Sequence, residues 1–175
     1  MPNKTFHFIS GLPRSGSTLL GAILRQNPRF SAGMSSPIAN LVEGVVNQVS
    51  AGSELSRMVD GPQRERILKG LFDSYYADNS AEVVFDTNRA WTARISEMAT
   101  LHPKSKIICC VRNVAWVMDS LERQFRGKAF ENTGLFPNAS ERATVYTRTE
   151  ALAASNRLVG FAYQALREAC WGEHA

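Results

Sequence analysis

Nowhere in the sequence do apolar residues run unbroken toward the ~18 that a membrane-spanning helix requires. The amino terminus has no basic start, no long apolar centre and no small-residue cleavage site of the secretory kind. A cytoplasmic location without membrane attachment is the expectation. Cysteine is scarce: only Cys109, Cys110 and Cys170 occur, with neither a CxxC pair nor zinc-ligand spacing. Two of the three are adjacent within an apolar run, so buried reduced thiols are expected rather than a disulfide or a metal centre. Positive charge is not concentrated either. The net charge is +4, from 20 Lys and Arg against 16 Asp and Glu, and no basic stripe carries interleaved aromatics. That balance admits an anionic ligand and argues against a nucleic-acid partner.

What is present is an ordinary globular composition, 44% hydrophobic and 21% charged over 175 residues, which fits one domain. Short apolar runs alternate with helical periodicities. Residues 5–10 (TFHFIS) read as a buried strand, and 18–26 as a helix with Leu19, Leu20, Ile23 and Leu24 on one face. A short strand at 29–34 and a helix at 41–49 follow, then a helix through Ile67, Leu71 and Tyr75. EVVFDT (82–87) is the next strand, with a helix near 91–101 behind it. KIICCVR (106–112) reads as a strand buried on both faces, and 114–125 as a helix. A polar loop at 127–140 leads to a long helical stretch from Glu141.

Strands alternating with helices predict an α/β fold with a central parallel sheet covered on both sides, three layers deep. In such sheets a ligand sits at the carboxyl ends of the strands. Three polar segments fall there: the loop after the first strand, DTNR (86–89) and VRN (111–113). The chain ends on a helical pattern that expects a further strand, so the single domain 1–175 is expected to be incomplete at its carboxyl end.

The first of these loops is Gly11-Leu12-Pro13-Arg14-Ser15-Gly16-Ser17-Thr18. Its frame is that of a phosphate-binding loop, G-x-x-x-x-G-K-[ST], except that Ser17 stands where the lysine belongs. The glycines still let successive N–H groups curl inward, and the following helix aims its amino end at the same point. Ser15, Ser17 and Thr18 add hydroxyls, and Arg14 adds a planar cationic fork. The missing lysine is the residue that bridges the terminal phosphates of a nucleoside triphosphate. No aspartate ends the 106–112 strand, where Mg²⁺ chemistry would want one, although Asp86 at the end of the 82–87 strand is of the right type to serve as a metal ligand. An anion held by Arg14 and hydroxyls, without a metal, is the better fit.

GLPRSGSTLL resembles the 5′-phosphosulfate loop of sulfotransferases that use 3′-phosphoadenosine 5′-phosphosulfate (PAPS), closest to the bacterial and protein-tyrosine branches. That family's second signature is an Arg after a core strand and a Ser eight residues later. Here VRNVAWVMDS supplies Arg112 and Ser120, eight apart. The resemblance spans residues 5–126. It departs at Val114, where the family usually has proline, and at GMSSPIAN (33–40), with serines where the tyrosyl-protein branch has its catalytic glutamate.

The resemblance implies metal-independent, in-line transfer of a sulfuryl group from PAPS to a hydroxyl or amine of a small molecule or peptide. It implies a PAPS and PAP (3′-phosphoadenosine 5′-phosphate) site formed by Pro13, Arg14, Ser15, Gly16, Ser17, Thr18, Arg112 and Ser120. Arg14 would neutralise the leaving phosphate, and Arg89 would add a second cation. A base must lie within reach of the acceptor proton. His7 lies inside a strand, His102 precedes Pro103 and His174 is terminal, so Asp86 is the preferred candidate and Glu43 a weaker one. Trp91, Trp116 and Trp171 sit among apolar neighbours at helical spacing and are expected to pack in the core rather than on adenine. Two other readings stay open: a small-molecule kinase using ATP and Mg²⁺, and a PAP-binding remnant without turnover. Neither the acceptor nor the oligomeric state is encoded legibly.

Overall fold

The structure, a computed structural model, describes residues 4–50, 52, 54–127 and 133–171. His174 and part of the 127–140 loop lie outside the described residues. The elements run β1 (Thr5–Gly11), α1 (Ser17–Leu24), β2 (Phe30–Ala32), α2 (Ile38–Val49), a 3₁₀ turn (Glu54–Arg57), α3 (Gly61–Tyr75) and β3 (Val83–Thr87). A 3₁₀ segment (Arg89–Arg94), α4 (Ile95–Leu101), β4 (Ile107–Cys110), α5 (Val114–Arg126), α6 (Ala139–Arg142), α7 (Val145–Ala153) and α8 (Leu158–Trp171) complete the order.

The four strands form one parallel sheet in the order β2-β3-β1-β4. Phe8 of β1 lies beside Asp86 of β3, and Gly11 beside Cys110 of β4. Alternation along β1 sends Phe6 and Phe8 to one face and Ile9 to the other. Phe6 and Phe8 meet Ile38 and Val42 of α2, Phe72 of α3, Trp91 and Met98. Ile9 packs with Phe85 against Leu20 and Leu24 of α1. A third cluster joins Leu12 to Val117 and Leu121 of α5, Leu152 of α7 and Val159 of α8. Helices thus cover both faces of the sheet, as the alternation predicts.

Several elements differ from the sequence reading. On α1 only Leu20 and Leu24 face the sheet, whereas Leu19 and Ile23 are exposed. β4 is not buried on both faces. It forms the edge of the described sheet, with Ile108 and Val111 exposed. An apolar run cannot by itself say whether a neighbour covers it. The thiols of Cys109 and Cys110 are half-buried and Cys170 is exposed, all three free. The helical stretch from Glu141 is broken into α6, α7 and α8. Thr144 caps α7 through a reciprocal pair with Thr147, and Gly160 lets α8 turn back so closely that a Cβ there would lie 2.2 Å from the Ala154 carbonyl oxygen.

Candidate active site

The loop between β1 and α1 is shaped by three residues in the left-handed region: Gly11 (φ 112°), Arg14 (φ 58°) and Gly16 (φ 98°). Glycine is required at position 11, because a Cβ there would meet the Cys110 carbonyl oxygen at 2.2 Å. Arg14 is the one non-glycine residue at positive φ among the described residues. Such a conformation is unfavourable for a side-chain-bearing residue and persists only where the surroundings impose it.

Gly16 caps α1 without any side-chain hydrogen bond, and the first turn holds no acidic residue. The first helical bond runs from Leu20 N–H to the Gly16 carbonyl at 2.9 Å. The N–H groups of Ser17, Thr18 and Leu19 therefore point out of the helix end without a backbone acceptor. The side chain of Ser15 does not join them. Its hydroxyl donates to the Leu12 carbonyl and stiffens the loop. Pro13 is buried at the base of the loop, and Ser17 and Thr18 sit at its rim.

The second motif closes on the first. Arg112 Nη1 donates to the Arg14 carbonyl at 3.0 Å, and Arg14 Nε donates to Ser120 Oγ at 3.1 Å. Asn113 starts α5 by accepting the Ala115 N–H, which fixes the helix end just beyond Arg112. Residues about a hundred positions apart thus meet at the carboxyl ends of β1 and β4. Among the described residues none of Arg14, Arg89 and Arg112 is paired with a carboxylate. Neighbouring atoms crowd the Arg89 guanidinium and lower its pKa by desolvation, although the residue as a whole is exposed.

Arg89 is held by contacts that no sequence motif announces. Its carbonyl accepts from Ser10 Oγ at 3.0 Å and from Thr92 Oγ1 at 3.2 Å. Asn88 accepts the Ala90 N–H and donates to the Ser36 carbonyl at 3.0 Å, tying the GMSSPIAN loop to the end of β3. These hydroxyls and amides are ordinary residues in the sequence, and only the fold makes them partners.

Asp86 is buried, with 1% of its surface exposed. Its Oδ1 accepts the Trp91 indole N–H at 2.7 Å and its Oδ2 accepts the Tyr76 hydroxyl. Neither oxygen is open to an acceptor hydroxyl in this conformation, and the carboxylate instead anchors α3 and the 3₁₀ segment to β3. Burial and the Asp86 charge push the Tyr76 phenol well above its ordinary pKa, so it remains a donor. Glu43 is exposed on α2, 3.9 Å from Arg94 Nη2. His7 accepts the Lys106 N–H within the sheet, and His102 lies among aromatic rings at the other end. Trp91 is a core residue as the sequence predicts, but Trp116 and Trp171 are exposed, at 59% and 84%. A cleft of about 1000 Å³ opens at the amino ends of the strands, between Lys4, Phe6, Lys69, Asp73, His102 and Lys104, and no residue of either motif lines it.

A parallel sheet whose first loop offers unpaired N–H donors, with Arg14, Arg89 and Arg112 gathered at the same end, defines a class of α/β protein suited to an anionic ligand. A sequence model of the sulfotransferase family matches residues 7–167, and the chain belongs to that family. No curated protein matches the sequence. The family assignment makes the chain a transferase of sulfuryl groups. No helix among the described residues is long and apolar enough to cross a membrane.

Proposed function

We propose that the chain transfers a sulfuryl group from PAPS to a hydroxyl or amine of a small molecule or peptide. The observation that carries this reading is the junction of Arg14, Arg112 and Ser120 beside the open amino end of α1. It offers two centres of donors: the loop N–H groups with Arg14, and Arg112 with Ser120. A donor with two separate phosphate groups matches that pair better than one with a single polyphosphate tail.

In this reading the donor supplies an activated sulfuryl group, and the chain supplies its placement. The N–H groups of Ser17 to Leu19 and the hydroxyls of Ser17 and Thr18 hold the anionic 5′ end. Arg14 neutralises charge that grows on the leaving oxygen, an interaction stronger in the transition state than in the ground state. Arg112 and Ser120 hold the 3′-phosphate, and Arg89 faces the group in transit. Pro13, Ser15 and Gly16 keep the loop in its curled form. Asp86 holds the 3₁₀ segment, and with it Arg89, in place. No metal is needed in this scheme, and the serine at position 17 removes the lysine that an ATP-dependent kinase would use.

The test is titration calorimetry with PAP and with AMP, which lacks the 3′-phosphate. Losing a hydrogen bond to a charged group removes about 1.5–3 kcal/mol. Arg112→Ala and Ser120→Ala are each expected to weaken PAP about tenfold or more and to leave AMP nearly unchanged. Equal losses for the two ligands would refute the assignment of the 3′-phosphate to this pair.

A further inference from the structure

The face of α5 that carries Ser120 also carries an aromatic side chain that the fold does not use. Trp116 precedes Ser120 by one helical turn, and residues four apart lie one above the other on a helix, about 5–6 Å between Cβ atoms. The core side of α5 is marked by Val117 and Leu121. Trp116 and Ser120 are both displaced from that side toward the same flank. Trp116 makes no ring–ring or cation–π contact among the described residues and leaves 59% of its surface in solvent. The other two tryptophans are placed differently. Trp91 is fully buried, 4.9 Å from the Phe8 ring, with its N–H committed to Asp86. Trp171 closes α8, outside both motifs.

We infer that Trp116 is the stacking platform for the purine base of the nucleotide whose 3′-phosphate lies on Arg112 and Ser120. This rests on the donor reading above. In a nucleoside 3′-phosphate the base and the phosphate are carried on the same ribose ring, so the base falls within a few ångströms of the phosphate's protein ligands. An indole one turn along the same helix face meets that requirement. It has a large flat surface, and it gives up exposed apolar area when a base covers it. Stacking of a base on an aromatic side chain is sequence-tolerant and contributes enough to change affinity about tenfold to a hundredfold. Specificity for adenine over another purine would come from edge contacts and is not assigned to Trp116.

The experiment compares PAP with ribose 3,5-bisphosphate, which keeps both phosphates and has no base. Binding is measured by calorimetry on the wild type, Trp116→Ala and Trp116→Phe, after thermal unfolding of each apo protein. The expected result is that Trp116→Ala weakens PAP about tenfold or more, leaves ribose 3,5-bisphosphate within twofold, and that Trp116→Phe restores most of the loss. PAP should also quench the wild-type tryptophan fluorescence, and that quench should vanish in Trp116→Phe. This readout carries the test should the alanine variant fail to fold. Unchanged PAP affinity and quenching would overturn the platform while leaving the donor reading intact. Equal weakening of both ligands would overturn it too, because Trp116 would then act by holding Arg112 and Ser120. A wild type that binds neither ligand would sink the donor reading and the platform together.

Discussion

In the proposed reading, single residues divide into those that face the donor and those that hold the first group still. Arg14 belongs to the first kind, and its left-handed backbone is consistent with that, since strain at a non-glycine residue needs a compensating reason. Asp86 belongs to the second. Its carboxylate accepts from Tyr76 and Trp91 and faces no cation among its hydrogen-bond partners. Asp86→Ala would leave a buried indole N–H and a phenol without an acceptor, at about 1–3 kcal/mol each. The expected outcome is a loss of about 3 kcal/mol in denaturant unfolding. A variant that unfolds like the wild type yet has lost sulfuryl transfer would show Asp86 to be the proton acceptor instead.

At the scale of elements, both motifs were legible because each is local. GLPRSGST is a strand-to-helix turn written in eight consecutive residues, and Arg112 and Ser120 lie eight apart, Arg112 just before the start of α5 and Ser120 within it. The parallel sheet was legible for the same reason, through alternating periodicities. What the sequence left open is long-range. The Arg14–Ser120 bond, the Ser10 hydroxyl under Arg89 and the exposure of β4 depend on which elements lie side by side. Helical spacing among apolar residues makes Trp116 look like core, but spacing does not tell a helix's flank from its buried face.

One element carries a pH response of its own. His102 ends α4 with its ring 4.9 Å from Phe6 and 4.7 Å from Phe72. Burial first, and then the nearby Lys69 charge, hold its pKa down to about 4, with Asp73 opposing. The folded protein therefore binds this proton less readily than the unfolded chain, whose histidine titrates near 6.5. The stabilising contribution is complete above pH 6.5 and is lost as the pH falls from there toward 4. Glu122, held down to about 2 chiefly by its hydrogen bonds from Arg148, responds only below about 4.5, so between pH 6.5 and 4.5 it leaves the His102 response undisturbed. His102→Phe keeps a ring in the cluster and removes the proton. Its melting temperature is expected to vary less than that of the wild type between pH 6.5 and 4.5, and an unchanged slope there would assign the response to another group.

At the scale of the whole molecule, three arginines without a carboxylate partner among the described residues gather at one end of the sheet. Arg14, Arg89 and Arg112 all belong to the carboxyl ends of β1, β3 and β4, and none of the three is neutralised by a carboxylate among the described residues. A ligand bearing one phosphate at each motif would bridge β1 and β4 and bind folded chain far better than unfolded chain. The measurement that tests this most directly is thermal unfolding with PAP, with ADP, and with ATP plus Mg²⁺, the first two repeated in EDTA. A ligand at a hundred times its Kd adds about 2.7 kcal/mol, or roughly 5–10 °C for a domain of this size. Such a rise is expected with PAP, unchanged by EDTA and well above that with ADP. A rise confined to ATP with Mg²⁺ would contradict it and make the loop a kinase's.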